Sequence, residues 1–478
     1  MYDSSSSQEL ATALAREIED LPAGARIATH RELVRRFGAS ATTVSQALAL
    51  LTRRGLITSR PGAGTYRSET PPVARAGDTS WQEAALELSN QLDSAAGTTR
   101  SFKSSALTAT LSTLGPDVVD LNGGYLHPHL QPLSMLGTAL SRAARRADAW
   151  DRPPVSGVPE LRDWYASDIG GGLSRQDILI CGAGQSTLGT ALRAVGQPGD
   201  PVVIESPTYP GTIAAANAAG LRTIPVPLDS EGIHTDYLDE ALSRTGARII
   251  IVQPLFQNPT GASLSVSRQR DILAIARRHG AFVIEDDFAR HMTHADTAPT
   301  VPPMIADDPD GTVIHIRSLT KVISPNLRVG ALAARGPVMA RLRSAHIIDT
   351  MFVSAPLQHT ALELVAAPSW KRAIAALGSA LEHRRKVAID AVSATFGPRA
   401  LALRPHGGYH LWVSLPGHVD ARQLTAAALA NGVAITPGDN YYPTDSSAPH
   451  IRLSYVAAPS AADVDRAIRS LASVVAEP

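Results

Sequence analysis

A chain of 478 residues is long enough for two or three domains with a large buried core. Its 44 basic residues balance 44 acidic ones, so overall charge points neither to nucleic acid nor away from it, and local distribution has to decide. The single cysteine, Cys181, excludes an internal disulfide, and without a signal-like start or a bilayer-spanning apolar run the expectation is a cytoplasmic protein with no membrane partner.

The first elements are helical. Leu10, Leu14 and Ile18 recur at helical spacing and give one apolar face. Thr29 then stands as an N-cap with Glu32 at the third helical position, the pattern of a capping box. Ser40 can cap a third helix running through Thr42, Thr43, Val44, Ala47, Leu48 and Leu51, closed by Gly55. Leu56-Ile57-Thr58, a turn through Arg60, Pro61, Gly62, Ala63 and Gly64, and then Thr65-Tyr66 complete a winged helix-turn-helix over residues 1–67. Between Arg26 and Arg67 eight arginines face one acid, Glu32, a net of +7. Beside a wing-like turn, that charge points to a DNA-binding surface rather than an ordinary solvated helix face.

Residues 68–116 are rich in Ser, Thr, Ala, Pro and Gly and read as a linker, with one short helix around Trp81 to Leu92. From 117 to 478, apolar runs such as Arg248-Ile-Ile-Ile-Val252 and Ala281-Phe-Val-Ile-Glu285 alternate with helical stretches such as Ser267 to His279. Strands buried on both faces and separated by helices imply an α/β fold with a mainly parallel sheet and helices on both faces. Asp286 follows the apolar strand Phe282-Val-Ile, and Lys321 follows Val313-Ile-His-Ile after a short loop. Both therefore fall at carboxyl ends of strands, where open α/β sheets bind ligands. His291 with His294, and His406 with His410, lack a third ligand at metal-like spacing; they read as packing or surface residues, with no metal site.

Residues 22–66 carry Pro-x-Gly, Arg31-Glu-Leu, Ser-x-Thr-Thr-Val and Gly-x-Gly-Thr in order, and the segment resembles the GntR-family winged helix. The resemblance implies double-stranded operator DNA as a partner, met by Arg31, Ser40, Thr42, Thr43, Ser45, Gln46, Arg60 and Gly62. Ala41 departs from it, standing where an arginine is common, so one base or phosphate contact is missing there.

The region from 117 onward contains Gly157-Val-Pro-Glu-Leu-Arg162, Glu205-Ser-Pro-Thr-Tyr-Pro-Gly211, Gln257-Asn-Pro-Thr-Gly261, Glu285-Asp-Asp287, Ser318-Leu-Thr-Lys321 and Ser324-Pro-Asn-Leu-Arg-Val-Gly330. It resembles fold-type I aminotransferases, and its fusion to the winged helix resembles the MocR subfamily of GntR regulators. Such a site holds pyridoxal 5'-phosphate, whose aldehyde, ring nitrogen and phosphate each need a partner. The resemblance assigns Lys321 to the Schiff base, Asp286 to the ring nitrogen, Asn258 to the ring oxygen and Tyr209 to stacking on the ring. It assigns Gly184, Gln185, Ser318 and Arg328 to the phosphate, and Arg452 to the carboxylate of an amine or amino acid effector. Three positions depart. Phe288 replaces a usual tyrosine, which leaves Asn258 as the donor to the ring oxygen. Cys181-Gly182-Ala183 replaces Thr-x-Gly, and Arg152 replaces a tyrosine that reaches the partner subunit. The function so implied is a homodimeric, pyridoxal phosphate-dependent transcriptional regulator that senses an amino compound or the cofactor itself; the alternative is a working aminotransferase with an accessory DNA-binding domain.

Overall fold

The protein is seen in a computed structural model that describes residues 4–53, 55–60, 63–68, 100–102, 104–444 and 448–476. The chain separates into two compact units, Met1–Leu88 and Ser89–Pro478. Gly62 and the short helix expected around Trp81 to Leu92 lie outside the described residues.

In the first unit, α1 (Ser4–Glu19), α2 (His30–Phe37) and α3 (Ala41–Arg53) pack around Leu10, Leu14, Ile18, Leu33, Val44, Ala47 and Leu51. The capping box is present: Thr29 accepts from the Glu32 N–H while the Glu32 carboxylate accepts from the Thr29 N–H at 2.7 Å. Gly38, at φ 61°, ends α2 in the left-handed conformation and lets the chain turn directly into α3. Strands β1 (Ile57–Arg60) and β2 (Gly64–Arg67) form the antiparallel wing, with Ile57 opposite Arg67 and Arg60 opposite Gly64. The other edge of β2 is held too, since Ile27 N–H donates to Thr65 O and Arg67 N–H to Ala25 O.

In the second unit, β3 (Val119–Asp120) precedes the main-sheet strands β4 (Ile178–Cys181), β5 (Pro201–Ser206), β6 (Arg222–Asp229), β7 (Gly232–Ile233), β8 (Ile249–Val252), β9 (Phe282–Asp287), β10 (Val313–Ser318) and β11 (Gly330–Ala334). Their spatial order is β4-β11-β10-β9-β8-β5-β6-β7, parallel from β6 through β10 and antiparallel where β11 and β7 join. Side chains alternate across the sheet. Val203, Ile250, Val283 and Val313 enter one apolar cluster, while Ile204, Ile251, Ile284 and Ile314 enter the other. Each strand is thus covered on both faces, which is why its sequence reads as a continuous apolar run. After the main sheet come β12 (His410–Ser414), β13 (Val433–Ala434), β14 (Thr436–Pro437) and β15 (His450–Ser454); β12, β15 and β14 form a three-stranded sheet, and β13 pairs with β3.

The stretch expected as linker differs from that expectation at its end. Residues 105–111 form a helix, Ser101 N–H donates to Asn217 O, and Asn122 Nδ2 donates to Ala109 O, so this part is built into the second unit. Among the described residues, no helix is long and apolar enough to cross a membrane.

Candidate functional site

The alternation of β9 and β10 sorts their polar ends onto two faces. Asp286 and Ser318 share a face with Ile284 and Ile316, whereas Glu285, Asp287, His315 and Arg317 go to the other. Asp286 is the penultimate residue of β9 and is 7% exposed. Its Oδ2 accepts a 2.9 Å hydrogen bond from Gln253 Nε2, and no ion pair reaches it among the described residues. Burial pushes this carboxyl up to about 6, with Gln253 and Lys321 opposing and Asp287 adding. A buried carboxyl short of a cation is a seat for a protonated nitrogen.

Lys321 lies three residues beyond β10, and its Nζ donates to Gly124 O at 2.8 Å. Burial pushes the amine down to about 8; Arg452 and Arg328 add to this, and Tyr125 and Asp286 oppose it. Asn258 accepts at Oδ1 from Arg452 Nη1, 3.4 Å away. A guanidinium only donates, so the Asn258 amide is turned with Nδ2 left for another acceptor. Gln253 ties the two functional residues together, because its Oε1 accepts from the Asn258 N–H at 2.9 Å while its Nε2 holds Asp286.

The helix Ala183–Val195 starts at the same cavity. Its N-cap, Gly182, has no side chain to satisfy the first-turn N–H groups, which include those of Gly184 and Gln185. Arg328 approaches this end, donating to Gly182 O at 3.4 Å, and makes no ion pair among the described residues. An open helix N-terminus beside an unpaired guanidinium fits a phosphate. Ala183 (φ 69°) and Arg328 (φ 49°) are both left-handed, at roughly 1 to 2 kcal/mol each for a residue with a Cβ. Ala183 therefore fills with strain the place where the resembled motif has glycine.

One cavity is lined by Gly184, Gln185, Tyr209, Asn258, Asp286, Ser318, Lys321 and Arg328 together. These are all eight residues that the sequence singled out for the cofactor. Arg452 does not line it; this residue, 3% exposed, hydrogen-bonds Asn258 and the carbonyl of Asn122. Tyr125, Gln253 and Tyr409 also line the cavity and escaped the sequence reading. Phe288 lines it as expected, its ring 6.1 Å from that of Tyr409 in an edge contact. Beside Phe288, Tyr125 and Tyr409 add two phenol hydroxyls to the lining.

Three of the four histidines are engaged within the protein, and His406 is exposed. His294 Nε2 lies 3.1 Å from Gly408 O, His410 Nε2 lies 3.1 Å from Gln257 O, and His291 faces Asp168 at 3.4 Å. Burial, with Arg452 adding, pushes His410 down to about 3, so it is neutral.

On the first unit, Arg31, Ser40, Thr42, Ser45, Gln46 and Arg60 are exposed. Thr43 is a correction. It is buried to 6%, and its N–H and hydroxyl are both bonded to Ser40 Oγ, at 3.1 and 2.8 Å. Thr43 precedes Ala47 by four and Leu51 by eight, which puts it on the core face of α3. Ser40 spends its side chain on this cap, and Ser45 Oγ is 2.9 Å from His30 Nε2, a contact that pins α3 to the start of α2. Arg60 stacks on Tyr66 at 4.9 Å, and Arg36 is paired with Glu17 at 2.7 Å.

Residues 118–471 match the model of the aminotransferase class I and II family, about three quarters of the chain. The chain belongs to that family. Residues 6–66 match the gntR family of bacterial regulatory proteins, so the two matches fall in the order of the MocR resemblance. The uncharacterized HTH-type transcriptional regulator YjiR of Escherichia coli is 30% identical over 431 residues, spanning 87% of this chain and 88% of the relative. YdfD of Bacillus subtilis, of the same description, is 26% identical over 95% of this chain and 93% of its own length. Among solved structures, the α-aminoadipate aminotransferase LysN of Thermus thermophilus, complexed with N-(5'-phosphopyridoxyl)-L-leucine, has a TM-score of 0.73 at 26% identity and covers 83% of this chain and 98% of LysN.

Proposed function

We propose that this protein is a pyridoxal phosphate-dependent transcriptional regulator, binding DNA through its first unit and sensing an amino acid through its second. The observation that carries the reading is the convergence of eight cofactor-type residues on one cavity in a chain that also folds a GntR-type winged helix. Relatives spanning 95% and 94% of the chain are named as regulators. An aminotransferase relative, the aromatic-amino-acid enzyme of Thermococcus litoralis, spans 76%.

When bound, pyridoxal phosphate supplies an aldehyde that condenses with a primary amine, and a ring that withdraws electrons while its nitrogen stays protonated. Lys321 Nζ would hold the aldehyde carbon, and Asp286 would keep the proton on the ring nitrogen. Asn258 Nδ2 would donate to the ring oxygen, and Tyr209 would cover a ring face. Arg328, Ser318 and the N–H groups of Gly184 and Gln185 would hold the phosphate. Arg452 points to the class of effector. Its guanidinium is buried with no carboxylate partner among the described residues, and its Nε has no hydrogen-bond partner. A buried cation without a counter-charge is unfavourable. An effector carboxylate would supply that charge, which favours an amino acid over a simple amine. We take the assembly to be a homodimer, in which a second copy covers the exposed Ile347 and Ile348 of the helix Val338–Thr350 and Met351 at its end.

The DNA half is tested by fluorescence anisotropy with duplex DNA from upstream of the protein's own gene, at several salt concentrations. The logarithm of affinity should fall linearly with the logarithm of salt, because each neutralised phosphate releases counterions. Arg31→Ala should weaken binding by roughly 1 to 3 kcal/mol at one sequence if Arg31 reads a base, and equally on all sequences if it meets only phosphate. Binding indifferent to both salt and Arg31 would sink the assignment of that face.

A further inference from the structure

Asn122 is a buried polar residue, 7% exposed, that no role assigned so far employs. It stands in the turn after β3, and its hydrogen bonds run in three directions. Its carbonyl accepts from Arg452 Nη2, its Oδ1 accepts from the Thr436 hydroxyl, and its Nδ2 donates to Ala109 O at 2.8 Å. Thr436 thereby fixes which way the amide faces, because a hydroxyl given to Oδ1 leaves Nδ2 for Ala109. The turn itself is one piece: Asp120 Oδ1 accepts from the N–H groups of Asn122 and Gly123, at 2.8 and 2.7 Å. It rides on β15, since Ser454, two residues beyond Arg452 and on the same face, donates to Gly123 O at 2.6 Å.

Ala109 belongs to the helix Ser105–Leu111, at the end of the stretch of chain that arrives from the first unit. This helix is lightly held. None of its residues is buried, and Ser104 at its N-cap gives no capping hydrogen bond. Among the described residues, Asn122 makes the one hydrogen bond that joins it to the rest of the second unit.

We propose that Asn122 couples the effector site to the linker: a carboxylate bound at Arg452 loosens the helix Ser105–Leu111 through this residue. The inference rests on the reading of Arg452 as the partner of the effector carboxylate. Without an effector, Arg452 gives hydrogen bonds to two neutral acceptors, Asn258 Oδ1 and Asn122 O. A carboxylate is a stronger acceptor than either and can meet a guanidinium with two parallel bonds. The guanidinium turns toward it, and its hold on the Asn122 carbonyl weakens. The turn then shifts as one piece and draws Nδ2 away from Ala109 O. The device is a competition for one buried cation, so it answers to a carboxylate; an amine without one leaves Arg452, Asn122 and the helix as they are.

Two stable compounds test this on the full-length protein: N-(5'-phosphopyridoxyl)-L-leucine, and its counterpart built on 3-methylbutylamine, which lacks only the carboxylate. Each carries the cofactor's ring and phosphate, so each takes the cofactor's place. Amide hydrogen exchange over residues 105–111, read by mass spectrometry, should quicken roughly twofold to tenfold with the leucine compound, as expected for one hydrogen bond, and stay unchanged with the amine compound. Asn122→Ala keeps the backbone carbonyl that Arg452 uses and removes the tie to Ala109. In that variant exchange over 105–111 should be quick before any compound is added, and the leucine compound should add nothing. By reciprocity the leucine compound should bind the variant more tightly by the same factor, whereas the amine compound should bind both proteins alike. A residue that merely packs would give no such tightening. The wild-type comparison needs no variant, so it decides the matter even if Asn122→Ala fails to fold. Binding of both compounds with equal exchange over 105–111 would overturn the proposal, as would a leucine compound that still quickens exchange in Asn122→Ala. Failure of both compounds to bind would instead remove the cofactor reading of the cavity, and this inference with it.

Discussion

Replacing Lys321 with alanine should abolish the near-visible absorption of the cofactor-loaded protein and the label that borohydride fixes to the chain. Among the described residues, Lys321 is the lysine that lines the cavity, and burial lowers its amine to about 8. At pH 7 about a tenth of such an amine is neutral, against less than a thousandth for an ordinary lysine near 10.4. The sign of the pH dependence follows. Below pH 8 the rate of cofactor attachment should rise about tenfold per unit as the amine deprotonates, and above it the rate should level off. An alanine variant with an unchanged band would remove Lys321 from its role.

Asp287→Ala should destabilise the second unit by about 3 to 5 kcal/mol, the expected loss when one partner of a buried ion pair is deleted. Asp287 is fully buried and bonds Arg290 Nε at 2.5 Å and Arg317 Nη2 at 3.0 Å, with His315 Nε2 3.9 Å away. Arg317 also reaches Asp168 at 2.5 Å, and Glu285 receives His315 Nδ1 at 2.7 Å. Removing one carboxylate leaves Arg290 without its ion-pair partner and leaves Arg317, 1% exposed, with Asp168 alone. Burial pushes the Asp287 carboxyl up, but Arg317, Arg290 and His315 outweigh it and hold it below the usual carboxylate range. A folded-state pKa lower than the unfolded one means that this stabilisation is present above about pH 4 and is lost as the pH falls further. Urea unfolding followed by tryptophan fluorescence, at pH 7 and at lower pH, should show the gap between wild type and variant closing on acidification. A loss below about 1 kcal/mol at pH 7 would mean that the network contributes nothing beyond packing.

The fold was legible because both of its periodicities are local. Continuous apolar runs marked β8, β9 and β10, and Asp286 at the end of β9 with Lys321 after β10 marked the carboxyl edge of the sheet. The eight cofactor residues could be read off because each sits in a short motif at an element end. Tyr125, Gln253 and Tyr409 sit in no such motif. They reach the cavity through tertiary packing, from chain positions up to 284 residues apart, and their chemistry depends on one another. Gln253 matters because it spans Asp286 and Asn258. Thr43 is different, since its spacing to Ala47 and Leu51 already placed it on the core side of α3; a family motif outweighed a periodicity that was there to be used.

The central claim is that a ligand at Lys321 alters DNA binding by the first unit. Both binding equilibria are linked, so an effector that shifts DNA affinity must be shifted equally by DNA. The most direct measurement is anisotropy of operator DNA bound to cofactor-loaded protein while a panel of amino acids and the corresponding decarboxylated amines is titrated in. At least one amino acid should change the apparent affinity several-fold in the wild type, its decarboxylated amine should act more weakly, and neither should act on Lys321→Ala. DNA affinity unmoved by every amino acid, alongside rapid conversion of one of them to its keto acid, would contradict the account and identify the second unit as a working aminotransferase.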